Sequence, residues 1–137
     1  MRFDAVSSHP TVSQGADAKF VVTLKNTDGT PLDANGANIT SITIQLQGRG
    51  RNHQQWQLTN DGDATNDTLA VGGTDNNELT FFAEPAETQK WPQGQLHFLI
   101  TLQEVDADFD PDGRTSLNRI PAAYVQRVDF ANHAGFH

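Results

Sequence analysis

The densest group of chemically capable side chains is the run Asp106-Ala107-Asp108-Phe109-Asp110-Pro111-Asp112-Gly113. Counted from Asp108, carboxylates fall at positions one, three and five, a glycine at six and Ser116 at nine. Calcium needs several oxygens converging on one point, and this spacing is how a calcium loop begins. Asp108, Asp110 and Asp112 are therefore the candidate metal ligands. Two features weigh against them. Position twelve is Arg119, where a calcium loop needs a bidentate glutamate, and Pro111 falls inside the run. No helical pattern flanks it either. These departures favour a plainer reading, an acidic, solvated hairpin loop between the last two strands.

Other chemistries find less support. The chain has no cysteine, which excludes disulfides, thiolate metal sites and cysteine nucleophiles. Of the five histidines, only His133 and His137 are close, and Gly135 weakens the helix that would bring them to one metal. No Gly-x-Ser-x-Gly elbow and no His-Glu-x-x-His helix occurs. The carboxylates sit mostly in turn-like segments, where solvation rather than pKa tuning is expected. No enzymatic activity is expected. Gly48-Arg49-Gly50-Arg51 lacks the following helix of a phosphate-binding loop and reads as a basic loop tip. Trp56 and Trp91 could stack on a sugar, but their neighbours favour a core or edge place for Trp56 and a plug at the sandwich base for Trp91. Asn38-Ile39-Thr40 and Asn66-Asp67-Thr68 match glycosylation acceptors, which carry meaning only in a secreted chain.

The elements that would position these residues are strands. Phe20, Val22 and Leu24 alternate with polar or smaller residues, as do Ile42, Ile44 and Leu46, and Leu96, Phe98, Ile100 and Leu102. A period of two with one apolar face marks strands lying on a core. Weaker patterns run over residues 54–59, 78–83 and 122–130, and the phase of the last is broken in a way that a bulge would explain. Asn26-Thr27-Asp28-Gly29-Thr30-Pro31, residues 60–63, residues 72–77 and Asp112-Gly113 carry turn chemistry. One helical turn is expected within Pro85–Trp91, started by Pro85 and stopped by Pro92-Gln93-Gly94. The fold predicted is all-β: an immunoglobulin-like antiparallel sandwich of about seven or eight strands over residues 1–131, with a less ordered tail at 132–137.

Composition bounds the partners. There are 17 acidic and 9 basic residues, a formal charge of −8, and hydrophobic residues make up 36% of 137 positions. An acidic surface repels nucleic-acid phosphates and anionic lipid, so neither is an expected partner. No apolar run approaches the length of a membrane span, and the segment after Met1 does not read as a secretory signal.

The order of features then becomes informative. Val12-Ser13-Gln14-Gly15-Ala16-Asp17 leads into a strand. Asp28-Gly29-Thr30-Pro31-Leu32-Asp33 forms the next turn, and Thr88 precedes a Trp91-Pro92-Gln93-Gly94 corner that feeds the longest alternating strand. This layout resembles the small immunoglobulin-like domains of tailed-bacteriophage structural proteins, such as the N-terminal domain of upper baseplate proteins. Ala16 interrupts that family's Gly-Asp pair, Trp91 stands where it has Leu, and the acidic loop from Glu104 to Asp112 is longer. The resemblance implies a virion component made in the host cytoplasm, with no catalytic residues and no required cofactor. Its partners would be capsid, neck, tail or baseplate proteins, or further copies of itself. The competing expectation is a carbohydrate- or calcium-binding β-sandwich module.

Overall fold

The computed structural model describes residues 3–36, 38–48, 56–60, 69–111 and 113–127. Nine strands appear in the order β1 (Phe3–Ser7), β2 (Thr11–Ser13), β3 (Ala18–Asn26), β4 (Ile39–Gln47), β5 (Gln57–Asn60), β6 (Ala70–Gly72), β7 (Glu78–Ala83), β8 (Gly94–Glu104) and β9 (Arg114–Gln126). A single helical turn, α1 (Pro85–Thr88), joins β7 to β8, and a 3-10 turn at Ala107–Phe109 lies between β8 and β9. One sheet runs β1-β3-β7-β6 and the other β2-β9-β8-β4-β5. This is the strand order of an immunoglobulin-like sandwich, with the opening strand split between the sheets.

That split accounts for the two features the sequence pattern does not predict, the higher strand count and one parallel pair. At Ser8-His9-Pro10 the chain leaves the first sheet. His9 takes a positive φ of 51°, and Pro10 has no N–H to offer a ladder. The chain then joins the second sheet as β2, pairing parallel with β9 through Thr11, Val12 and Ser13 opposite Tyr124, Val125 and Gln126. All other pairings are antiparallel. β9 begins at Arg114, well before the predicted start at Ala122, because β8 pairs with it continuously from Gly94 to Glu104. The expected bulge is present. Leu96 faces Ala123 while His97 faces Pro121, so Ala122 is the extra residue. The buried set then changes phase, with Ile120 and Ala122 inside before the bulge and Ala123 and Val125 after it.

The alternating positions fill the core as expected. Phe20, Val22, Leu24, Ile42, Ile44, Leu79, Leu96, Phe98, Ile100 and Leu102 are all at most 1% exposed. Antibody-type sandwiches join the two sheets by a disulfide. Here Phe20 of β3 meets Phe98 of β8 edge-on, ring centroids 5.3 Å apart. Phe81, Trp56 and Trp91 extend this contact into one aromatic cluster. Trp91 is buried at the end of the sandwich and Trp56 is half-buried beside it.

Candidate functional site

The corner formed by α1 is tied to a distant turn by several hydrogen bonds. Thr88 is fully buried. Its hydroxyl donates to the Ala16 carbonyl at 2.8 Å and accepts from the Gly15 N–H at 3.1 Å. The Gln14 amide donates to the Trp91 carbonyl at 2.7 Å, and the Trp91 indole N–H donates to the Glu87 carboxylate at 3.0 Å. The Gln14-Gly15-Ala16 turn and the Thr88–Trp91 corner are thus one clamp between distant parts of the chain. Gly15, at φ 83°, supplies the backbone shape the turn needs.

The candidate calcium ligands lie in an exposed loop. Asp106 caps the 3-10 turn by accepting the Asp108 N–H at 3.0 Å, and its carboxylate lies 3.9 Å from Arg114. The Arg114 guanidinium also sits over the Phe109 ring, 5.2 Å from its centre. Asp108 and Asp110 are exposed, and Asp112 lies outside the described residues. Arg119, the twelfth position, is on the outer face of β9 and donates to Gln47 at 2.9 Å. Among the described residues, no three His, Asp or Glu side chains gather as a metal site would require. Arg49, Arg51, Asn66, His133 and His137 also lie outside the described residues. Asn38 is an exposed turn residue whose carbonyl accepts the Val105 N–H at 2.7 Å.

Tertiary pairing creates a cluster that sequence spacing does not show. His9 bonds Gln95 at 3.1 Å, and His97, two residues along β8, lies near both His9 and Arg119. Partial burial and these two neighbours hold the His97 pKa below the usual histidine value. The alternation of β8 places His97 on the outer face, but its companions come from the chain start and from β9. Sequence spacing could not supply them.

The other feature not foreseen is the open seam between β1 and β9. Asn118 donates to the Phe3 carbonyl at 2.8 Å and Ser7 donates to the Ala122 carbonyl at 3.1 Å across it. Two shallow grooves lie along this seam, about 460 Å³ near Arg114–Asn118 and about 290 Å³ near Val6, Ile120 and Pro121. The signal that could have found it is Pro121, because proline inside a strand marks an edge. Large apolar side chains are also exposed, with Val6, Phe82, Val105 and Leu117 all more than half accessible. They are spread over several faces.

No protein-family model and no curated protein matches the chain. Among solved structures, MtrC from Shewanella baltica OS185 is similar at 13% identity and a TM-score of 0.53, the match covering 98% of this chain and 27% of that one. The likeness is one of fold alone. The Dpr1 IG1 domain, from a structure bound to DIP-eta IG1, matches at 14% identity and a TM-score of 0.37, covering 91% of this chain and 96% of the other. The immunoglobulin-like assignment therefore stands on the strand order itself.

Proposed function

We propose that the chain is a non-enzymatic structural component of a tailed-bacteriophage virion, attached to capsid, neck, tail or baseplate by protein–protein contacts. The observation that carries this reading is the clamp at α1. Two of the three turn signals on which the family resemblance rests, Gln14-Gly15-Ala16 and Thr88 to Trp91, are bonded to each other and form one structural unit. The accessible surface is consistent with such a role. Among the described residues no three His, Asp or Glu side chains gather, whereas strand edges and single apolar residues are displayed. Edges and loop rims recognise other proteins by strand addition and shape. Many copies on a symmetric particle let weak single contacts hold.

The test is mass spectrometry of gradient-purified particles from cells producing this chain and its phage. Stoichiometric recovery with the particle proteins is expected. Absence from intact particles, with the chain abundant in the lysate, would overturn the assignment.

A further inference from the structure

The strand switch at Ser8-His9-Pro10 brings His9 against the outer face of the second sheet. The His9 N–H donates to the Ser7 hydroxyl at 3.1 Å, and the ring Nε2 meets the Gln95 Oε1 at 3.1 Å. The Gln95 amide donates to the Leu96 and Ala123 carbonyls, so Gln95 offers the ring only an acceptor. Nε2 therefore carries the hydrogen, and Nδ1 has no partner among the described residues. His97 lies beside it in the cross-strand row Gln47, His97, Pro121. Arg119 starts on β9 and reaches over β8, its Nε donating to Gln47 of β4 at 2.9 Å. Three cationic or protonatable side chains thus meet at one corner of a chain whose formal charge is −8. Among the described residues no carboxylate is within ion-pair reach of them, and the Arg114–Asp106 pair lies at the other end of β9. His97 reports the imbalance. After burial, the neighbours that hold its pKa down are Arg119 and His9, with no acidic group to offset them.

An apolar groove adjoins this cluster. It is lined by Ala5, Val6, Ser7, Ile120 and Pro121, with His9 at its rim, and has a volume of about 290 Å³. Val6 is 57% exposed in it. Pro121, on its wall, is the cross-strand neighbour of His97. Adjacent strands lie about 4.8 Å apart, so groove and cluster are within reach of two consecutive residues of one peptide. We propose that this corner is a docking site for an acidic segment of a partner protein, which seats an aliphatic side chain in the groove and sets the next carboxylate among His9, His97 and Arg119. Charge complementarity selects the occupant. The Arg119 terminal nitrogens and a protonated His9 Nδ1 and His97 supply donors that no carboxylate of this chain takes. A nucleic acid fits less well, because a phosphodiester carries no aliphatic group beside its charge and the acidic chain repels a polyanion. Contact through one side chain and one charge is weak by itself, and many copies on an assembly would add to it.

The experiment uses the isolated full chain, so its outcome is independent of virion placement. The probe is the capped dipeptide acetyl-Leu-Glu-amide, titrated in the millimolar range at pH 6 and followed by nuclear magnetic resonance. Saturable shifts are expected at Val6, His9, His97 and Ile120. Acetyl-Leu-Gln-amide and acetyl-Gly-Glu-amide should each bind at least about threefold more weakly, the loss of one exposed contact. Arg119→Gln should weaken the dipeptide similarly, while Lys19→Gln, which removes the same charge from an exposed position on the other sheet, should not. Binding should also weaken from pH 6 to pH 7.5 as the imidazoles lose their protons, and the bound carboxylate should raise the pH at which the His97 ring titrates. Spectra away from the corner serve as the check that each variant is folded. Four results would each overturn the proposal: no saturable shift, equal binding of the Leu-Gln probe, binding indifferent to Arg119→Gln, or the same shifts at the same concentration from inorganic phosphate, which would mark a general anion site.

Discussion

Thr88 shows how much one hydroxyl can hold. It is fully buried and satisfies both a donor and an acceptor of the β2–β3 turn. Thr88→Val keeps the shape and leaves those groups unpaired, so a loss of about 1–3 kcal/mol is expected in urea denaturation. His97 gives a pH dependence. Its folded pKa is lowered by partial burial, then by Arg119 and His9. Between that value and the unfolded one near 6.5, the unfolded chain binds more protons. The stabilisation is full above about pH 6.5, declines as pH falls towards the folded value, and levels off below it. Because the ring is only partly buried, the effect is small and weakened by salt. Urea midpoints of the native chain should therefore fall more steeply below pH 6.5 than those of His97→Gln. For the acidic loop, millimolar calcium should leave the melting temperature unchanged, since Asp108 and Asp110 are exposed and position twelve of the loop is Arg119 rather than a bidentate glutamate. A rise that chelator reverses would instead support Asp108, Asp110 and Asp112 as ligands.

At the scale of elements, the β8–β9 hairpin depends on its closing glycine. Gly113 has φ 79°, and a Cβ there would overlap the Glu104 carbonyl oxygen. Gly113→Ala is expected to cost more than about 1 kcal/mol and to speed amide exchange first near Glu104 and Arg114, which hydrogen-exchange mass spectrometry can read. The strands differ in how far the pattern revealed them. β3, β4, β7 and β8 were legible because each has a core on one face only, which imposes a period of two. β1, β2 and β6 were not. They are short, and their stability comes from the strand they pair with rather than from their own composition. β9 was half legible. Its first half has polar residues on both faces, and the Ala122 bulge breaks the phase of the second.

At the scale of the molecule, the two sheets share one hydrophobic core whose aromatic cluster centres on Phe20, with Phe98 packed against Phe20 and Phe81. Phe98→Asp places a charge among Phe20, Phe81 and their neighbours at a cost of roughly several kcal/mol. The chain should unfold, with loss of near-ultraviolet circular dichroism. A soluble variant with an unchanged melting temperature would contradict the strand phase.

Alternation and turn chemistry made the fold class, the inward faces and the α1 turn readable from the amino acids alone, because burial of one sheet face acts residue by residue along a strand. The candidate site was less readable. The two-residue spacing of Asp108, Asp110 and Asp112 suggested calcium, yet spacing along the chain does not say whether their carboxylates converge on one point. The clamp between Gln14-Gly15-Ala16 and Thr88–Trp91, the His9–His97–Arg119 cluster and the seam between β1 and β9 were decided only by tertiary structure. Each depends on which strands lie side by side, and pairing between distant segments is set by the whole core rather than by any one stretch of sequence.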